Sequence, residues 1–171
     1  LNKSLMSQSI NLYKQLANHK LFNKSVNFGL KRIKLALALL GHPEKKLKNV
    51  ISVVGESGKF TTLFSLKSFI EASNQNVTTH ISPSLRDIRE RFYMGEKYLS
   101  HKEIKKTIKQ IEKLNIPLTI FECLTLVYII NASKINVDYN IQETGALWRL
   151  DSNNIHDLSL IHISEPTRRR T

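Results

Sequence analysis

Residues 50–62 read VISVVGESGKFTT, and the order of residue types in that stretch decides the fold. A β-branched apolar run ends at Gly55. Gly58, Lys59 and the hydroxyl pair Thr61 and Thr62 follow, and a helix-like pattern then begins. The apolar run suits a buried strand. Glycine lets a backbone approach an anion closely, and the N-terminus of the next helix turns its N–H groups toward the same point. The stretch therefore predicts a nucleotide-phosphate loop lined by Gly55, Ser57 and Gly58. Lys59 would sit among the phosphate oxygens, and Thr61 or Thr62 would offer a hydroxyl to Mg²⁺. The spacing departs from a Walker A loop. Only Glu56 and Ser57 separate the glycines, and Phe60 stands between Lys59 and Thr61. The competing reading of these residues is an ordinary strand–turn–helix junction with a surface lysine.

The 171 residues suffice for one domain with a core, and an apolar fraction of 41% fits a globular chain. No apolar run reaches the roughly 18 residues of a membrane span; stretches 35–40 and 124–130 read as core. The start, LNKSLMSQSI, lacks the apolar segment of a signal peptide and an initiator Met, so a start further upstream is expected. The single cysteine, Cys123, excludes a disulfide framework and reads as a small buried hydrophobe in a reducing, cytoplasmic compartment. The formal charge of +12 invites a nucleic-acid partner, but the lysines are scattered along helices, as at Lys102, Lys105, Lys106, Lys109 and Lys113. Solvated helix faces and an anionic substrate account for the charge, so neither a nucleic acid nor a membrane is expected as partner.

Helices are predicted at 4–19, 29–40, 61–72, 100–114 and 117–132, and strands at 50–54, 77–81 and 138–142. Within 61–72, Leu63, Leu66, Phe69 and Ile70 are expected to form one apolar face. Ser100 followed by Glu103 reads as a capping box. Residues 86–98 read as a mixed loop with short strands around 92–94. Alternating strands and helices argue an α/β fold with a largely parallel sheet flanked by helices. Ligands bind such sheets at the carboxyl ends of the strands, which brings Ser82 and Glu143 to the phosphate loop. A carboxylate at a strand end facing a phosphate loop makes Glu143 a candidate Mg²⁺ ligand; the alternative readings are a solvated loop acid for Glu143 and a cap or turn hydroxyl for Ser82.

These landmarks, in this order, resemble folylpolyglutamate synthase and the bifunctional dihydrofolate synthase, within the Mur-type amide ligases. The resemblance runs over 22–155. The family's phosphate loop, GTNGKGS, corresponds to residues 55–61; its TSPHL segment to ISPSL at 81–85; its ERI segment to Glu90-Arg91-Phe92. Its FExxT helix corresponds to Phe121-Glu122-Cys123-Leu124-Thr125, and EVGLGGRLDATN to ETGALWRLDSNN at 143–154. The resemblance implies a P-loop-type central ligase domain. It implies ATP-dependent addition of L-glutamate to a folate or to dihydropteroate through an acyl phosphate, by a monomer. It implies ATP and Mg²⁺ as the groups bound, Lys59 as the catalytic cation, and Ser82 and Glu143 on the metal. Arg149, Asp151 and Asn154 would lie beside the nucleotide. Ser84, Arg91, Phe121, Glu122 and Thr125 would border the substrate.

The departures are Glu56, Phe60, Ser84, Leu147 and Trp148, which stand where the family has Thr, Gly, His and two glycines. A bulky side chain where backbone approach is needed weakens phosphate contact, so a non-catalytic descendant with weakened nucleotide binding is the competing function. The stretch 158–171, LSLIHISEPTRRRT, resembles the translation of a sequencing-library adapter over 158–168 and is set apart from the fold. On that reading 1–157 is the N-terminal part of the ATP-binding ligase domain, inactive alone, and a C-terminal glutamate-binding domain is absent.

Overall fold

The computed structural model describes residues 3–20, 22–23, 29–145, 152, 154–155 and 160–164. Its helices are α1 (Lys3–Asn18), α2 (Lys31–Leu39), α3 (Lys59–Ala72), α4 (His101–Glu112) and α5 (Ile120–Ala132). Its strands are β1 (Phe22–Asn23), β2 (Val50–Gly55), β3 (Val77–His80), β4 (Phe92–Met94), β5 (Leu118–Thr119), β6 (Tyr139–Glu143) and β7 (Leu160–Ser164). The main sheet runs β4-β3-β6-β2-β7, parallel except for β4, which turns back antiparallel on β3. The expected α/β class, with a mostly parallel sheet between helices, is therefore the observed one.

Strand periodicity divides the core. Ile51, Val53, Val77 and Ile141 point to the α3 side and form one buried cluster with Leu63 and Ile81. The opposite face carries Thr78, whose hydroxyl meets Tyr128 of α5 at 2.7 Å. A larger cluster joins residues of α1, α2, α4 and α5. Helix α5 is apolar all round and is buried along nearly its whole length, as a helix between a sheet and other helices must be.

Three expectations are corrected. Leu66 and Ile70 pack with Leu63 against the sheet, but Phe69 is 71% exposed; six residues at about 100° each carry it off the face that Leu63 defines. The helix predicted to begin at 117 starts at Ile120, because Leu118–Thr119 pairs with β1 in a small parallel sheet first. The predicted helix at 61 starts two residues earlier, at Lys59. Residues 160–164, set apart from the fold above, form β7 in register with β2, Ile51 opposite Leu160.

Candidate functional site

β2 ends in Gly55 at φ 142°, and Gly58, which opens α3, sits at φ 79°. Both conformations are costly for residues with a Cβ, which explains glycine at these two positions. Gly58 offers no side chain to the helix, so the N-terminus of α3 carries no side-chain cap. A 14-residue helix thus presents its first N–H groups beyond the carboxyl edge of the sheet. Lys59 folds back over this loop: its ammonium donates to the carbonyls of Gly55 at 2.7 Å and Glu56 at 3.1 Å. Two of its three donors are spent in holding the cation at the mouth of the loop. Thr61 lies exposed and Thr62 half-buried on the first turn. Phe60 is turned out against Phe64, ring centroids 4.4 Å apart.

Glu143 is the last residue of β6 and pairs in register with Val53 of β2. It shares the sheet face of Ile141, so its carboxylate lies on the α3 side, within electrostatic reach of Lys59. The carboxyl is buried, and burial raises its pKa. The Ser82 backbone N–H, which donates to Oε2 at 2.9 Å, and the charges of Lys59 and Arg91 act in the opposite direction. Sequence points 84 residues apart, Lys59 and Glu143, are thus brought to one end of one face.

Arg91 is buried at the end of a 3-10 turn. Its guanidinium donates to the Ser82 hydroxyl at 3.2 Å and to the Tyr13 hydroxyl at 2.8 Å. Tyr13 in turn shares a hydrogen bond of 2.8 Å with Ser84. The remaining expected substrate residues lie on α5. Phe121 is half-buried beside His80, ring centroids 6.4 Å apart. Glu122 caps its own helix through the Thr119 N–H and receives both Nε and Nη2 of Arg32. Thr125 is buried on the Ser152 hydroxyl at 3.1 Å. Asn154 is described and half-buried; Arg149 and Asp151 lie outside the described residues, as do Leu147 and Trp148.

Two site neighbours carry no sequence signal. Tyr13 comes from a helix that the family resemblance leaves out. His80 is fully buried between Phe92 and Tyr128, in stacked contacts of 5.6 and 5.1 Å. Among the described residues no group of three or more His, Cys, Asp or Glu could hold a metal ion. Ser82 and Glu143, the expected ligands, lie together, the Ser82 N–H on Glu143 Oε2, and a hydroxyl and a carboxylate are oxygen donors of the kind that would fit a Mg²⁺ ion keeping waters. No helix among the described residues is long and apolar enough to cross a membrane.

No family model matches the chain. A dihydrofolate synthase/folylpolyglutamate synthase of Buchnera aphidicola is 36% identical over 136 residues, covering 78% of this chain and 31% of the relative. The Bacillus subtilis protein of the same name is 32% identical over 136 residues, 74% of this chain and 31% of its own. Among solved structures, E. coli FolC in complex with DHPP and ADP matches with a TM-score of 0.82 at 31% identity, over 90% of this chain and 37% of that one. A bifunctional folylpolyglutamate synthase/dihydrofolate synthase with Mn, AMPPNP and L-glutamate bound matches at 0.79 and 28% identity, over 94% and 38%. The chain spans about a third of the length of the curated relatives it matches.

Proposed function

We propose, from the premise that the chain belongs to the dihydrofolate synthase/folylpolyglutamate synthase family, that it supplies the ATP-binding part of a cytoplasmic ligase joining L-glutamate to a folate or to dihydropteroate. The observation that supports this reading is that Lys59, held on the loop after β2, and Glu143, the last residue of β6, lie at the carboxyl ends of neighbouring strands, close enough for the lysine's charge to act on the carboxyl. A carboxylate is a poor electrophile until it is phosphorylated, and catalysis of phosphoryl transfer is mostly positioning and charge neutralisation. The residues fit that task. Gly55, Ser57 and Gly58 shape a loop under an uncapped helix N-terminus. Lys59 neutralises phosphate charge, and Thr61 and Thr62 offer hydroxyls. Ser82 and Glu143 would hold Mg²⁺, which when bound would supply positive charge to offset that of the phosphates. Arg149, Asp151 and Asn154 are assigned to the nucleotide side. Ser84, Arg91, Phe121, Glu122 and Thr125 are assigned to the border of the folate site, with Arg91 and Glu122 acting through the neighbours they hold. At a third of the relatives' length the chain is proposed to be inactive alone, the glutamate site belonging to a further domain.

Equilibrium binding of Mg·ATP to the 171-residue chain is the direct test. The wild-type chain should bind in a metal-dependent way, and Lys59→Ala should weaken binding by about 10- to 100-fold, the range of a lost charge-assisted hydrogen bond. Metal-independent or equal binding by both proteins would remove the reading. Glu56 and Phe60 favour a second one, a ligase-fold domain that no longer holds a nucleotide. Phe60→Gly, restoring the small residue of the family loop, should then raise affinity from a level too low to measure.

A further inference from the structure

The loop 82–91 leaves the carboxyl end of β3 and passes beneath α1, and α1 grips it at two points. The Ile88 N–H donates to the Ser9 hydroxyl at 2.8 Å. The Tyr13 hydroxyl accepts from Arg91 Nε at 2.8 Å and pairs with Ser84 at 2.8 Å. Arg91 spends its other arm, Nη1, on the Ser82 hydroxyl at 3.2 Å, and the Ser82 N–H is the donor to Glu143 at 2.9 Å. The contacts form one unbroken path, Tyr13–Arg91–Ser82–Glu143, from the first helix to the acid at the end of β6. Arg91 is 7% exposed and lies over the Tyr13 ring, its Cζ 5.9 Å from the centroid. A buried guanidinium whose fork is fixed on two hydroxyls is a rigid strut rather than a mobile ligand. The loop closes on itself elsewhere as well, with Glu90 accepting from the N–H groups of Leu85 and Arg86. Arg91 carries the hold of α1 on to Ser82, bonding the Tyr13 hydroxyl with one arm and the Ser82 hydroxyl with the other.

We propose that Tyr13 and Arg91 are positioning residues for Ser82 and Glu143. Helix α1, outside the main sheet, sets the turn that aims the acid of the site. The inference rests on the assignment of Ser82 and Glu143 to the metal, but its test does not. Amide hydrogen exchange of the 171-residue chain, read by NMR, reports the Ser82 N–H directly. In Tyr13→Phe that amide should lose protection about tenfold, while the amides of β3 and β6 keep theirs. Arg91→Lys retains the charge but cannot fork onto both hydroxyls, and it should give the same selective loss. Protection at Ser82 that stays unchanged in both variants, or that falls only in step with the whole sheet, overturns the proposal. Mn²⁺-dependent AMPPNP binding measured on the same samples separates the two readings. A wild-type chain that binds nothing, with Ser82 still loosened selectively, sinks the nucleotide assignment and leaves the positioning intact. A chain that binds equally well in all three forms, with Ser82 unmoved, sinks the positioning alone.

Discussion

His80 illustrates how a single residue can tie stability to acidity. It is buried, its Nδ1–H donates to the Arg91 carbonyl at 3.2 Å, and Nε2 finds no partner among the described residues. Burial first, and the Arg91 charge second, depress its pKa from 6.5 to about 3. The folded state thus refuses a proton that the unfolded chain accepts below about 6.5. Stability falls as the pH drops from 6.5 toward 3, by at most about 1.4 kcal/mol per unit, and levels off below that. His80→Phe, flanked by Phe92 and Tyr128, should flatten this slope. Urea midpoints at pH 7 and pH 4.5 will differ less in the variant than in the wild type. Nothing local in VTTHIS announces such a histidine, because its stacking partners lie 12 and 48 residues away. Lys59 and Glu143 were legible for the opposite reason. A glycine-flanked lysine after a β-branched run and an acid closing a strand are local patterns, and parallel pairing does the rest.

At the scale of elements, one cap written within four residues was readable, a second was not, and long-range partners were not. Ser100 and Glu103 form the capping box that their spacing predicts. A second box, Thr119 with Glu122, was hidden inside a run read as continuous helix. Its glutamate does double duty, since Arg32 from α2 lies across it. Glu122→Ala should cost roughly 2–3 kcal/mol, by removing an N-terminal acceptor and stranding a partly buried guanidinium. Glu122→Gln keeps one acceptor and should cost about half as much. Chemical denaturation of the two variants measures both. Helix α3 gave a mixed outcome. Its start follows from Gly58, but Phe69 shows that apolar content does not fix which side faces the sheet; the angular offset from Leu63 does.

For the whole molecule, the class of fold came from the alternation of strand and helix patterns, whereas the strand order could not. β2 and β3 are consecutive in the main sheet's sequence but are separated in space by β6. The far side of β2 is covered by LIHIS at 160–164, a stretch whose apolar alternation suits a strand whatever its origin. Removing 158–171 should therefore bare the backbone of β2 and promote association between copies. The shortened chain is expected to unfold at lower urea and to elute earlier on size exclusion as its concentration rises. Retention of the full-length midpoint would mean that β7 contributes nothing.

The interposed β6 also imposes a schedule on synthesis. A nascent chain that has emerged only as far as α4 has already made the phosphate loop and the strand leading to Ser82. It has no way to set them side by side, because the strand that spaces them is not yet translated. Until residue 143 clears the ribosome, β2 and β3 lack the strand that each pairs with, and their facing backbone edges stay unpaired. That interval is when a chaperone has the most to hold.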